Sequence, residues 1–359
     1  MSKVLSAVDA VSPAIERAKQ QLFKPFRFWH WARLAFVAII SGELAGGGPG
    51  GGGNIPLPES EKSQELAWLA ARDPVWDQII EHLPWVILGV ALIVGLILVW
   101  MFIASVFRFV LFDSVLYNRC QIRAGWRQWQ EQGYSYFLWS LSLIATVLLA
   151  VAVVIGGPIL LAWRAGIFRE PKEHLVLLIL GGVGLFILLI AVIGAGAVIG
   201  LLAKDFAVPI MALENVGIRE AWRRLLPLLA SAKLSYTGYV LMKIVLAVGS
   251  AIIFGIINLI AILLLLIPLG LGGLAIYFLA KGAGIPWNLA TMSIVAVLAL
   301  AAFLLLLTVA GLIAVPAMVF FQSYPMYFFG SRYTRLGELV FPPPPPEATP
   351  PLPEPAPVA

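Results

Sequence analysis

From His174 to Ala203 the chain carries no Asp, Glu, Lys or Arg. As a helix such a run reaches about 45 Å, more than the roughly 30 Å of hydrocarbon in a bilayer. Backbone groups in lipid must satisfy one another, and a helix does this within a single segment. Four more stretches read the same way: Pro84 to Phe112, Tyr136 to Trp163 (interrupted by GGP at 156–158), Tyr236 to about Ile267, and Asn288 to Gln322. A weaker one, about Trp29 to Gly47, carries Arg33 and Glu43 and dissolves into glycine. Of 359 residues 61% are hydrophobic and 12% charged, against about 25% charged in soluble domains. No water-soluble fold hides that much apolar chain. The expected fold is all-α and integral to the membrane, with six transmembrane helices.

The stretch Gly200 to Leu229 shows how these helices are joined. An AVP step at Ala207 to Pro209 is followed by Glu214 and Asn215, then by a segment with Ile218, Trp222, Leu225, Leu226 and Leu229 on one face. Arg219, Glu220, Arg223 and Arg224 fall on the other, as in a helix lying along a membrane surface. IREAWR at 218–223 has a counterpart in IRAGWR at 122–127 and a weaker one in IERAKQQLF at 15–23, while AVPIM at 207–211 is echoed by AVPAM at 314–318. The recurrence predicts three hairpin repeats, about 12–118, 119–215 and 216–330, each preceded by a cytoplasmic interfacial amphipathic helix. The competing explanation is that aromatic and basic residues crowd every membrane border and match by chance. Under the repeat reading Ile15, Ile122 and Ile218 each open a surface helix, and Trp126 and Trp222 turn toward the membrane core. Arg123, Arg127, Arg219, Arg223 and Arg224 then stay among water or lipid phosphates. Asn215 and Ser12 stand where a helix N-cap belongs, with Pro13 at the first helical position.

Basic residues set the expected orientation. Sixteen of the 24 Lys and Arg lie at the N-terminus, after the second and fourth spans and at the C-terminus, and six lie on the opposite side. Both termini are therefore expected in the cytoplasm, in a multi-pass protein of the cell (inner) membrane. The basic, amphipathic N-terminal segment has no uninterrupted apolar core before Trp29, unlike a cleavable signal peptide. One transmembrane domain is expected over 1–341, with an external Gly-rich and acidic loop at 46–83 and a disordered Pro-rich cytoplasmic tail at 342–359. Within that loop Asp73 and Pro74 read as the start of a short helix. The tail offers a proline-rich ligand to a protein partner. The net charge is +5, but the cations sit at helix ends rather than in one block, which points to anionic lipid headgroups and away from nucleic acid.

Chemistry is sparse. The chain has no HExxH, no GxSxG, no phosphate-cradling glycine loop and a single cysteine, Cys120. One cysteine excludes an intrachain disulfide and a cysteine-built metal site. No catalytic residue, metal site or cofactor is expected, and an enzyme is not. The intramembrane polar candidates are Glu43, Lys243 and Asn258. Lys243, about 10 Å along the helix from Tyr236, is expected to snorkel to the cytoplasmic interface, and Arg108, four residues before Phe112, more easily still. Asn258 is expected to hydrogen-bond a neighbouring helix, and Glu43 to sit near water. Gly196 and Gly200 form a GxxxG pair that allows a close helix approach. The fifth span is too long to stand upright, which leaves PLGLGG at 268–273 as a kink, a re-entrant piece or the start of a seventh span.

DFAVPIMALENVGIREAWRRLL, 205–226, resembles a stretch found in bacterial multi-pass proteins related to the glycerophosphoryl diester phosphodiesterase membrane domain. There an apolar helix ends in a Pro step, then an acidic residue, then an Ala/Arg-rich amphipathic helix, here Pro209, Glu214 and Ala221 to Arg224. IERAKQQLFKPFRFWHWARLAF, 15–36, is similar to the opening of such proteins. The phosphodiesterase of the name is a separate soluble barrel, so the resemblance implies a membrane layout and no catalytic residue. Two classes of function follow. The first is a non-enzymatic scaffold or helper that associates with lipid or partner proteins. The second is a transporter or lipid-handling protein with a path between the repeats. A water-filled cavity lined by Glu43, Asn258 or Lys243 would favour transport, and a tightly packed bundle the scaffold.

Overall fold

The structure, a computed structural model, describes residues 4–24, 28–42, 74–167, 174–284, 286 and 288–341, without the side chains of 30 and 74–82. Glu43, the loop as far as residue 73 and the tail 342–359 lie outside the described residues. No strand occurs among those described. In chain order the helices are α1 (Val11–Phe23), α2 (Phe28–Ile40), α3 (Pro74–Tyr117), α4 (Ile122–Gln128), α5 (Gln130–Arg164) and α6 (Leu175–Leu202). A π-helical turn (Ala203–Ala207) leads into α7 (Val208–Glu214), followed by α8 (Ile218–Ser231), α9 (Lys233–Gly282), α10 (Leu289–Gly330) and α11 (Thr334–Val340).

Five helical stretches among the described residues are long and apolar enough to cross a membrane: Leu83–Tyr117, Gln130–Arg164, Leu175–Glu214, Lys233–Gly282 and Leu289–Gly330. The chain is a multi-pass membrane protein. The weakest expected span is shorter than its sequence suggested. Helix α2 has 13 residues, about 20 Å, and the described chain turns at Gly42, whose φ of +76° favours glycine. Other boundaries moved outward. The helix begun at Pro74 does not stop as a short loop helix but runs through Pro84 into the span. GGP at 156–158 does not interrupt α5, and α9 continues through Pro268 to Gly282, so 268–280 is neither re-entrant nor a separate span. A 50-residue helix is about 75 Å long.

The third stretch, Leu175–Glu214, does not end at Ala203 either. Proline cannot donate the amide bond that would reach back four residues, and its ring crowds that carbonyl. Upstream of Pro209 the helix widens instead of breaking, and Val208 donates to the Ala203 carbonyl five residues back. The helix then resumes to Glu214. Asn215 is not the N-cap of α8, a place taken by Gly217. It closes α7 in the left-handed conformation (φ 54°), as Asn118 closes α3 (φ 52°). In both cases the next amide donates to a carbonyl five residues earlier, Arg119 to Ser114 at 3.2 Å and Val216 to Met211 at 3.3 Å, the hydrogen bond of a Schellman end with Asn in the usual glycine place.

The buried side chains gather at one end of the bundle. Ala14, Ala18 and Leu22 of α1, Val106 to Val115 of α3, Phe206 to Met211, Tyr236 and Tyr239, Val315 to Phe329 and Leu336 form one cluster. Helix α1 lies across α10 and closes the end of α3: Arg17 donates to the Val115 and Leu116 carbonyls at 3.0 and 2.7 Å, a cation on the negative end of a helix. Tyr324 of α10 donates to the Ala7 carbonyl at 3.0 Å. The first and last described helices therefore share this capped end. Small residues make the close crossings there. A Cβ at Gly133 of α5 would lie 2.9 Å from the Val106 Cα of α3, so only glycine lets those two helices meet. Toward the other, open end nearly every apolar side chain is exposed, and the most apolar windows of four of the five stretches contain no buried residue.

Candidate functional site

Asp205 is a buried carboxylate in the cap. The widened turn carries it into the core, where its Oδ2 accepts from the Lys243 ammonium at 2.5 Å and from the Tyr239 hydroxyl at 2.8 Å. Both ionic side chains are 2% exposed. Tyr239 stacks on Tyr324 at 5.1 Å with nearly parallel rings, and Phe206 packs against Tyr239, Phe328 and Phe329 at 5.0 to 6.0 Å. Lys243 thus does not snorkel to the interface. Its ammonium meets a carboxylate on the neighbouring helix before it can reach water, and the pair ties the π turn to α9. A buried ion pair adds little net stability over an apolar pair of the same volume, but removing one partner strands a charge.

A second acidic residue, Glu214 at the end of α7, collects three partners from two short helices. Arg224 of α8 pairs with it, the Tyr333 hydroxyl next to α11 donates to it, and the Arg335 Nε lies 4.0 Å away. Burial pushes the Tyr333 phenol up from its usual range, so it stays a donor. Cys120 is buried, and burial likewise pushes its thiol up, away from thiolate chemistry.

The interface candidates divide into two groups. Trp126 and Trp222 are half-buried and pack inward on spanning helices: Trp126 against Phe102 and Phe107 of α3, Trp222 against Trp139 of α5 at 5.9 Å. Arg123, Arg127, Arg219, Arg223 and Arg224 are exposed. Arg223 and Arg224 each pair with Glu220 at 3.1 Å, so part of their charge is already answered. Ile122 and Ile218 are the first residues of α4 and α8. Ile15 breaks the pattern: it is the fifth residue of α1 and 53% exposed, while Ala14 and Ala18 face the core. Ser12 lies inside α1 and does not cap it. Asn258 is half-buried in α9, and its Oδ1 meets no donor among the described residues, so the expected interhelical hydrogen bond is not formed. Glu43 lies outside the described residues.

Where α3, α5 and α6 leave the cap, they line an open cleft of about 530 Å³ together with Ser41 and Gly42 at the end of α2. Gly196 and Gly200 of α6 face Val147 and Leu143 of α5, which is the close approach expected of that pair. At the end nearest the cap the cleft is polar: Arg108, Tyr136, Ser140 and Lys204 line it, and Arg108 donates to the Tyr136 hydroxyl at 2.6 Å. Farther out the walls are Trp100, Leu148 and Ile193. Among the described residues no cluster of three His, Cys, Asp or Glu could hold a metal ion.

A packed polar cap from which long apolar helices extend defines a polytopic helical membrane protein. The chain belongs to the Family of unknown function (DUF7544), whose model matches residues 5–339. No curated protein and no solved structure matches it.

Asp205 is not among the sequence candidates, and Glu214 enters only as the acidic residue of the 205–226 stretch. The one signal for Asp205 was its place four residues before Pro209, where a helix loses a hydrogen bond and a neighbouring turn widens.

Proposed function

We propose that this chain is a non-enzymatic scaffold or helper of the cell (inner) membrane that associates with lipid or partner proteins through its capped end, with both termini in the cytoplasm. The observation that carries the reading is the cap itself. Its short helices turn Trp126 and Trp222 inward and Arg123, Arg127 and Arg219 outward, the arrangement of an interfacial surface for anionic headgroups. Lys243 is packed against Asp205 rather than lining a cavity, which favours the scaffold over a transport path. Six passages and a common side for the termini are supported by parity. Helix α1 and the last turns of α10 share the capped end, five long stretches alternate between the ends, and α2 covers part of the remaining passage. The repeat reading is supported by the matched Asn118 and Asn215 ends and by the inward Trp126 and Trp222.

The relation to the glycerophosphoryl diester phosphodiesterase membrane domain stays part of this proposal, resting on Pro209, Glu214 and Ala221 to Arg224. So does the tail from residue 342 as a ligand for a protein partner. The test is reconstitution of the full chain. Vesicles containing anionic lipid are expected to be recruited to the capped face more strongly than neutral ones. Substituting Arg123, Arg127 and Arg219 by Gln should remove most of that preference, at up to about 1 kcal/mol per cation. The lipid-handling alternative is favoured by the cleft between α3, α5 and α6. Scrambling of labelled lipid in proteoliposomes above the empty-vesicle rate would replace the scaffold with it.

A further inference from the structure

We infer that the cleft between α3, α5 and α6 is a seat for one anionic phospholipid, drawn from the leaflet on the capped side; this deepens the reading of a lipid-associating membrane protein and rests on it. Three observations converge. First, the cleft is amphipathic along the membrane normal. Its cap end presents the Arg108 guanidinium and the Lys204 ammonium with the hydroxyls of Tyr136 and Ser140, and no carboxylate lines it among the described residues. Arg108 is held by its hydrogen bond to the Tyr136 hydroxyl, so its charge is fixed at the mouth rather than swinging through solvent.

Second, the depth suits one leaflet. Lys204 and Ile193, at the two ends of the α6 wall, are separated by about 16 Å of helix, and half of a roughly 30 Å hydrocarbon core is about 15 Å. A phosphate at Lys204 therefore places acyl chains along Leu148 and Ile193, where Leu148 is 62% exposed and Ile193 54% exposed. Third, about 530 Å³ lies within the range of roughly 300–1,000 Å³ for small-molecule sites, and basic pockets between spanning helices on the cytoplasmic side hold anionic headgroups in general. Gly196 and Gly200 shape the floor, because with no side chains there α5 and α6 close behind the ligand instead of beside it.

The experiment is native mass spectrometry of the full chain, delipidated in detergent and titrated with phosphatidylglycerol or phosphatidylcholine. One phosphatidylglycerol is expected to stay bound where phosphatidylcholine does not. Lys204→Gln should weaken it at least about five-fold, the equivalent of one interfacial cation. Leu148→Trp, which fills the apolar part without touching the cap, should do the same. Arg108→Lys, which keeps the charge, should retain the lipid, and excess inorganic phosphate should not displace it, because phosphate alone leaves the apolar wall empty. Equal retention of the two lipids overturns the seat. So does a lipid that survives both Lys204→Gln and Leu148→Trp, or displacement by inorganic phosphate. Loss only in the Arg123, Arg127 and Arg219 variant places the lipid on the cap surface, which overturns the cleft and keeps the proposed function. A retained phosphatidylglycerol in a protein that shows no preference for anionic vesicles does the reverse. Melting curves of each variant separate lost lipid from lost fold.

Discussion

One helix, α3, serves two surroundings. In its last third Val106, Phe109 and Phe112 are 0 to 1% exposed, whereas Val90, Ile93 and Ile97 farther out are 53 to 56% exposed. The residue types hardly differ. The same contrast runs through α6 and α10, each buried at the cap and bare toward the open end. At the open end the neighbours are lipid chains, as apolar as the side chains themselves, so nothing favours helix against helix except shape. At the cap the helices carry features lipid cannot answer: an Asp205, a Lys243, a Glu214, helix ends with open carbonyls, and glycines that permit contact. Apolar character selects the membrane, and polar and steric complementarity select which helix end meets which.

The largest expected effect follows from stranding a charge. Asp205→Ala leaves the Lys243 ammonium without its carboxylate in the core and should cost about 3–5 kcal/mol, read as a loss of the thermal unfolding transition in detergent or nanodiscs. Leu188→Ala, in an exposed position of α6, should leave the transition nearly in place. Replacing Asp205 by Leu together with Lys243 by Met should restore most of the loss, since a buried ion pair and an apolar pair of like volume are close in stability. If Asp205→Ala melts like the parent, the two ends do not differ in the way described.

A smaller effect sharpens the steric half of the comparison. At Gly133 a methyl group would press on the Val106 backbone, while at Gly89 of the same bundle it would meet nothing within 4 Å. Gly133→Ala is expected to destabilise by about 1–3 kcal/mol. Gly89→Ala should stabilise by up to about 1 kcal/mol through helix propensity, and opposite shifts of the two melting curves are the result to look for. Smaller again is the cap end itself. Asn215→Ala forces a Cβ-bearing residue without a helpful side chain into the left-handed region and should cost roughly 1 kcal/mol. Asn215→Gly, like Asn215→Ala, loses the hydrogen bond from the Gln132 amide but takes the left-handed region without strain. It should therefore melt above Asn215→Ala, and equal melting temperatures for the two variants would show that the left-handed conformation costs nothing here.

Much of the layout was legible because it rests on local properties. The long apolar stretches and the short helices opening at Ile122 and Ile218 follow from hydropathy and a 3.6-residue period. Ile15 misled because small residues decide which face of α1 packs: Ala14 and Ala18 let the helix lie close on α10, and the larger Ile15 stays outside. Lys243 misled for a different reason. Its reach to the interface was judged along its own helix, whereas its partner sits 38 residues earlier on another.

The chain by itself determined that it crosses a membrane repeatedly, that its crossing segments are helical, and that its cations gather at helix ends. Length, hydropathy and the need to satisfy backbone groups in lipid leave no other outcome. Only the tertiary structure decided which Phe and Val are buried, because lipid and protein solvate an apolar side chain equally well and hydropathy cannot tell them apart. Only it joined Asp205 to Lys243, and Glu214 to Tyr333 across 119 residues. Those pairings depend on where a π turn points a carboxylate and on how closely glycine lets two helices cross.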